Sequence, residues 1–187
     1  LTNNEHVGTY RNLVNSFYRG IANYETTRAF LSTEFGLDPE ERVKFIAHRQ
    51  AVIKGLKSNK DQEKFFKSET FGEAMKIAVL NPLDVIAPLT LESLAQFLPT
   101  YLNIAPVTVG TSTVAGAAAG SFIPGAGTAA GAGVGFTVGN ITAAGLAGFS
   151  MEYTGKILEI MQEEGVDITN PDELLEGLQN ERLMAKA

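Results

Sequence analysis

VTVGTSTVAGAAAGSFIPGAGTAAGAGVGFTVGNITAAGLAGFSM, residues 107–151, carries no charged side chain, and the run without Asp, Glu, Lys, Arg or His extends from Ser93 to Met151. Its apolar character comes from glycine, alanine, serine, threonine and valine rather than from leucine and phenylalanine. Small residues in a long uncharged run let helix backbones approach closely, in lipid or inside a protein assembly. Ser112, Gly116 and Gly120 are spaced by four, and Gly127, Gly131, Gly135, Gly139, Ala143 and Ala147 continue the interval. A four-residue step returns nearly to the same helical face, so the pattern describes a strip without side chains.

Between the two series lies Phe122-Ile123-Pro124-Gly125, and Pro124-Gly125 is a turn signal. The stretch therefore reads as a helical hairpin with arms at about 107–123 and 126–151, packed through the strips, and the same strips are expected to serve as the interface through which copies oligomerise. Glycine costs about 1 kcal/mol against alanine in a water-exposed helix interior. Lipid or a protein partner must compensate, and in lipid the backbone hydrogen bonds have no competitor. An arm of about 20 residues spans a hydrocarbon core; the second arm is long enough, while the VTVGTSTV opening leaves the first marginal.

Outward from this block, residues 81–106 form a proline-broken connection. Asn81-Pro82 and Ala87-Pro88 are boundaries, and Pro99 and Pro106 predict a kink or break in the candidate helix over 90–102. Residues 1–80 read as amphipathic helices. Val7, Tyr10, Val14, Phe17, Ile21, Tyr24, Leu31 and Phe35 predict one apolar face, and Gly36 a stop. Asp38-Pro39-Glu40-Glu41 supplies an N-cap, a first-turn proline and acidic residues for a second helix with Val43, Ile46, Ala47, Gln50, Ile53 and Leu56 along its stripe. Thr70-Phe71-Gly72-Glu73 has capping-box spacing for a short helix to Leu80. Downstream, residues 152–187 become charged at once. The second arm is expected to run on as one helix to Gly165, and Thr169-Asn170-Pro171-Asp172-Glu173 starts a last one, with Asn170 or Thr169 as its cap. No segment alternates as a strand does, so the expected class is all-α, with amphipathic helices flanking a Gly/Ala-rich helical hairpin.

Composition narrows the function. The chain has 187 residues, a formal charge of -6 and no cysteine. Both signs are interspersed through the first ninety residues, which gives no basic face for phosphates and argues against sequence-specific nucleic-acid binding. Without cysteine there is neither a disulfide framework nor a thiolate nucleophile. The opening LTNNEHVGTYRNL is not a signal peptide, and a start at Leu1 suggests a piece of a longer polypeptide. His6 and His48 lack metal-ligand spacing. Gly125-Ala126-Gly127-Thr128-Ala129-Ala130 fits a relaxed dinucleotide pattern but follows a proline and lacks the acidic partner. Glu159, Glu163, Glu164 and Asp167 read as a solvated face. No catalytic, cofactor or metal residue is expected.

The uncharged block is followed by Met151-Glu152-Tyr153-Thr154-Gly155-Lys156-Ile157-Leu158-Glu159 and then by Glu164-Gly165-Val166-Asp167-Ile168-Thr169-Asn170-Pro171-Asp172-Glu173-Leu174-Leu175. This succession, over roughly residues 85–185, resembles a recurring region of the very large polyvalent or internal virion (ejection) proteins of short-tailed bacteriophages. The resemblance implies a protein held in the virion near the portal, tail or other internal proteins. It is released at infection and assembled into a conduit through the host envelope. Members often carry a lytic transglycosylase or polymerase elsewhere, and no such motif occurs in these residues. The expectation is a non-enzymatic segment that forms a homo-oligomer and meets the host membrane on ejection. Its rival is a soluble helical module that lines or plugs a portal or tail assembly without entering lipid. An enzyme domain would need a convergent polar pocket that the sequence does not advertise.

Overall fold

The computed structural model describes residues 7–31, 38–120 and 127–186. Among them every regular element is an α-helix. In order these are α1 (Thr9–Leu31), α2 (Pro39–Gly55), α3 (Lys60–Phe66), α4 (Phe71–Leu80), α5 (Ile86–Gly120), α6 (Gly127–Glu163), α7 (Pro171–Gln179) and α8 (Glu181–Met184). The chain divides into two compact units, one made of residues 1–96 and 154–187 and the other of residues 97–153. Phe35 and Gly36 lie outside the described residues.

Local signals start the helices of the first unit. The Asp38 carboxylate accepts from the Glu41 N–H at 2.8 Å, with Pro39 in the first turn. Asn59 caps α3, Thr70 caps α4 and Asn170 caps α7, each side chain accepting from a backbone N–H of the first turn. At the end of α6, Gly165 takes φ 86°, the Val166 N–H donates to the Met161 carbonyl and the Gly165 N–H to that of Gln162. That is a glycine-dependent helix stop, and it delivers Val166 to the core. The core joins Ala29 of α1, Val43, Ile46 and Ala47 of α2, Ile157, Leu158 and Met161 of α6, and Ile168 and Leu174 from the α7 region.

Two expectations are overturned. The apolar stripe of α1 is not its buried face: Tyr10 is 81% exposed and Phe17 43% exposed, whereas Asn12, Ser16, Arg19, Thr26 and Thr27 are buried. The reason lies in what α1 packs against, a set of polar connectors and helix ends with unmet hydrogen bonds. Arg19 donates to the Leu56 carbonyl at 3.2 Å and to Glu92 at 2.9 Å, and Asn15 donates to the Lys57 carbonyl. Asn12 accepts from the Asn59 N–H and donates to the Asp84 carbonyl, and Asn59 donates to the Asp84 carboxylate. Gly20 lets α1 lie directly on the first turns of α5, where a Cβ would sit 2.3 Å from the Glu92 carbonyl oxygen.

Nor is the helix at 90–102 broken. α5 begins at Ile86, so Pro88 falls in its first turn, where a missing N–H costs nothing, and it runs through Pro99 and Pro106 to Gly120. Each internal proline removes one rung, and the ladder on either side continues. The first arm is thus the C-terminal part of a longer helix rather than an element starting near 107.

The polar packing of α1 gives a sharp contrast. Asn12→Ala leaves the Asn59 N–H and the Asp84 carbonyl without their partner and should cost about 1–3 kcal/mol in urea unfolding. Tyr10→Ala on the same helix should stay within about 0.5 kcal/mol.

Candidate functional site

Within the unit of residues 97–153, small residues determine what meets what. A methyl group on Gly135 would lie 2.0 Å from the Ser112 carbonyl oxygen and 3.0 Å from the Thr113 Cα; one on Gly139 would lie 2.6 Å from the Val109 Cα. No side chain fits at either place, so the α5 backbone rests directly on that of α6. A turn forward along α6 corresponds to a turn back along α5, so the helices run in opposite directions past each other here. Ala143 and Ala147, further along the four-residue interval, are fully buried. These four positions are occupied inside the chain and offer no free surface to another copy. The Thr113 hydroxyl, at the same crossing, is buried without a hydrogen-bond partner, a cost that the close packing must offset.

Of the other strip positions, Gly116 and Gly120 lie in α5 and Gly127 and Gly131 in α6, with surroundings outside the described residues. Pro124 and Gly125 also lie outside the described residues, as does His6.

The outward surface of the same unit is apolar. Val107, Val114, Val134, Phe136, Ile141 and Phe149 are all more than half exposed, and no charge lies among them. One stretch among the described residues, 134–163, is long and apolar enough to cross a membrane by length and composition, and only 22% of its apolar window is buried. Four polar side chains in this region bond to carbonyls of their own helices. Asn103 donates to the Pro99 carbonyl at 3.0 Å, Thr108 to that of Ile104 at 3.2 Å, Thr111 to that of Val107 at 2.6 Å and Asn140 to that of Phe136 at 2.8 Å. The Tyr101 hydroxyl donates across to Asn140. Near the ends of the uncharged run, Phe97 stacks on Tyr101 and Phe149 on Tyr153.

Surface contacts of the charged tail perturb the titration of three groups, Lys156, Glu164 and Asp167. The Lys186 ammonium holds the Glu164 carboxyl below its usual range, hydrogen bonds from Thr169 do the same for Asp167, and the hydrogen bond to Glu159 raises Lys156. Among the described residues no three His, Asp or Glu side chains are grouped to hold a metal ion.

Sequence reading paired the two strips with each other, and the contacts of Gly135 and Gly139 with α5 agree, but it missed the Tyr101–Asn140 bond and the outward face, because a one-dimensional interval of four says nothing of the other faces. It also gave no weight to Gly110, Gly145 and Gly148, where an added Cβ would meet nothing within 4 Å.

No known protein family, curated protein or solved structure matches this chain.

Two glycine-to-alanine changes should move stability in opposite directions. Gly135→Ala forces α5 off α6 and lowers the thermal midpoint. Gly145→Ala relieves helix-breaking entropy in open space and stabilises by up to about 1 kcal/mol, both read by circular dichroism melting.

Proposed function

We propose that residues 97–153 form a membrane-inserting helical hairpin. It belongs to a non-enzymatic segment resembling the internal virion (ejection) proteins of short-tailed bacteriophages. In this reading the chain resides in the virion beside portal, tail or other internal proteins. On release it assembles with other copies and helps form a conduit through the host envelope for the genome. The observation that carries it is the coincidence of a run without charge from Ser93 to Met151 with an outward face of exposed valine, isoleucine and phenylalanine. Exposed apolar patches of this extent mark interaction surfaces in proteins that stay soluble. The glycines supply the inward contact, so the large side chains are left to face lipid or neighbouring copies.

A second reading draws on the same contact. Because Gly135 and Gly139 are filled by α5 itself, the strip needs neither lipid nor a second copy. A soluble module lining a portal or tail assembly would then dock the outer face on protein.

Flotation of the 187-residue chain with phosphatidylcholine vesicles separates the two. The membrane reading expects the protein in the lipid fraction, equally at low and high salt, because no charge attraction is involved. Ile141→Asp, placing a carboxylate on the exposed face, should lower partitioning about 100-fold, from the ~2.5–3.5 kcal/mol cost of a charge at mid-membrane. A chain that remains monodisperse and lipid-free supports the soluble module.

A further inference from the structure

Resting on the membrane reading above, we infer that α5 and α6 cross a zwitterionic bilayer completely and from one side, connection first. The charged segments before Ser93 and after Met151 then remain together on the side of origin.

The lengths fit a full crossing. From Tyr101 to its end at Gly120, α5 rises about 28 Å, and from Gly127 to Phe149, α6 rises about 33 Å, at ~1.5 Å per residue. The hydrocarbon core is about 30 Å thick. Residues 121–126, Ser-Phe-Ile-Pro-Gly-Ala, are uncharged, so no ion is carried through the core. Asn103, Thr108, Thr111 and Asn140 meet backbone carbonyls of their own helices on the way, and the unpartnered Thr113 hydroxyl is covered by the helix crossing. Each would otherwise reach lipid unsatisfied.

The stopping point is marked as well. Phe97, Tyr101, Phe149 and Tyr153 form two stacked pairs near the ends of the run, and aromatic rings of this kind settle at the membrane–water interface. Glu92 lies beyond Phe97 on one arm; on the other, Glu152 lies between Phe149 and Tyr153, with Lys156 and Glu159 beyond them, and these charges hold both ends back.

Charge also selects the lipid. The charges bordering the run are mainly acidic, Asp84, Glu92, Glu152 and Glu159 against the single basic Lys156. Anionic headgroups would repel this border, so a phosphatidylcholine surface should bind at least as well as one with phosphatidylglycerol.

The chain has no cysteine, which allows single-cysteine labelling without background. Ser121→Cys, Ile141→Cys and Gln162→Cys variants of the full chain would be bound to phosphatidylcholine vesicles and treated with a membrane-impermeant maleimide, added outside or enclosed in the lumen. The expected pattern is Gln162→Cys labelled only from outside, Ser121→Cys only from the lumen and Ile141→Cys from neither. Vesicle-bound protein whose Ser121→Cys variant labels from outside, or from neither side, overturns complete crossing and leaves the membrane reading intact. Failure of all three variants and the parent chain to float overturns both. A clear gain in binding with phosphatidylglycerol overturns the lipid preference.

Discussion

The missing side chains of Gly135 and Gly139 are the constraint on which the second unit depends. With a Cβ at either position the α5 backbone at Ser112 or Val109 would have to move away. The helices would then separate by the thickness of a methyl group or more along the whole contact. Van der Waals attraction falls steeply over such a gap, and the buried Ala143 and Ala147 are too small to fill it. Close approach therefore does more than bring two helices together. It takes the small residues out of view and leaves the large ones outside.

The first unit is held by different means. Its core is aliphatic where α1, α2, α6 and α7 meet, but the α1 contact with the α2–α3 connection and the first turns of α5 is largely polar. Arg19 serves as a hub, donating to Glu92, Ser16, Gln62 and the Leu56 carbonyl. Such a network fixes geometry because each donor has a defined acceptor, and losing one member leaves others buried and unsatisfied. Gly20 adds a backbone contact with Glu92. The root of α5 is thus specified by directional bonds, whereas its distal part is specified by the absence of side chains on its neighbour.

Much of the helix layout was legible in the sequence because capping is local chemistry. Asp38, Thr70 and Asn170 each announce a helix start within four residues, and Gly165 a stop. The buried face of α1 was not legible. Its apolar periodicity pointed to Tyr10 and Phe17, but the partner surface offered carbonyls, an amide hydrogen and the Glu92 carboxylate from residues 37 to 73 positions away in sequence, and no periodicity encodes that. Pro99 and Pro106 misled for the opposite reason. Their local preference is real, yet each removes only one hydrogen bond from a helix of 35 residues. In the candidate site, the four-residue interval singles out Gly135 and Gly139 from the chain's 19 glycines and pairs them with the first arm, but it does not say whether the strip is used up inside the chain or left for another copy. That distinction decides whether the strip or the opposite face meets a partner.

The central claim is that the outward face of residues 97–153 meets lipid, and amide hydrogen exchange of the whole chain, with and without phosphatidylcholine vesicles, tests it most directly. The account predicts a gain in protection confined to peptides from 97–153, with α2 and α7 unchanged. Exchange in 97–153 that is the same with and without vesicles would contradict it.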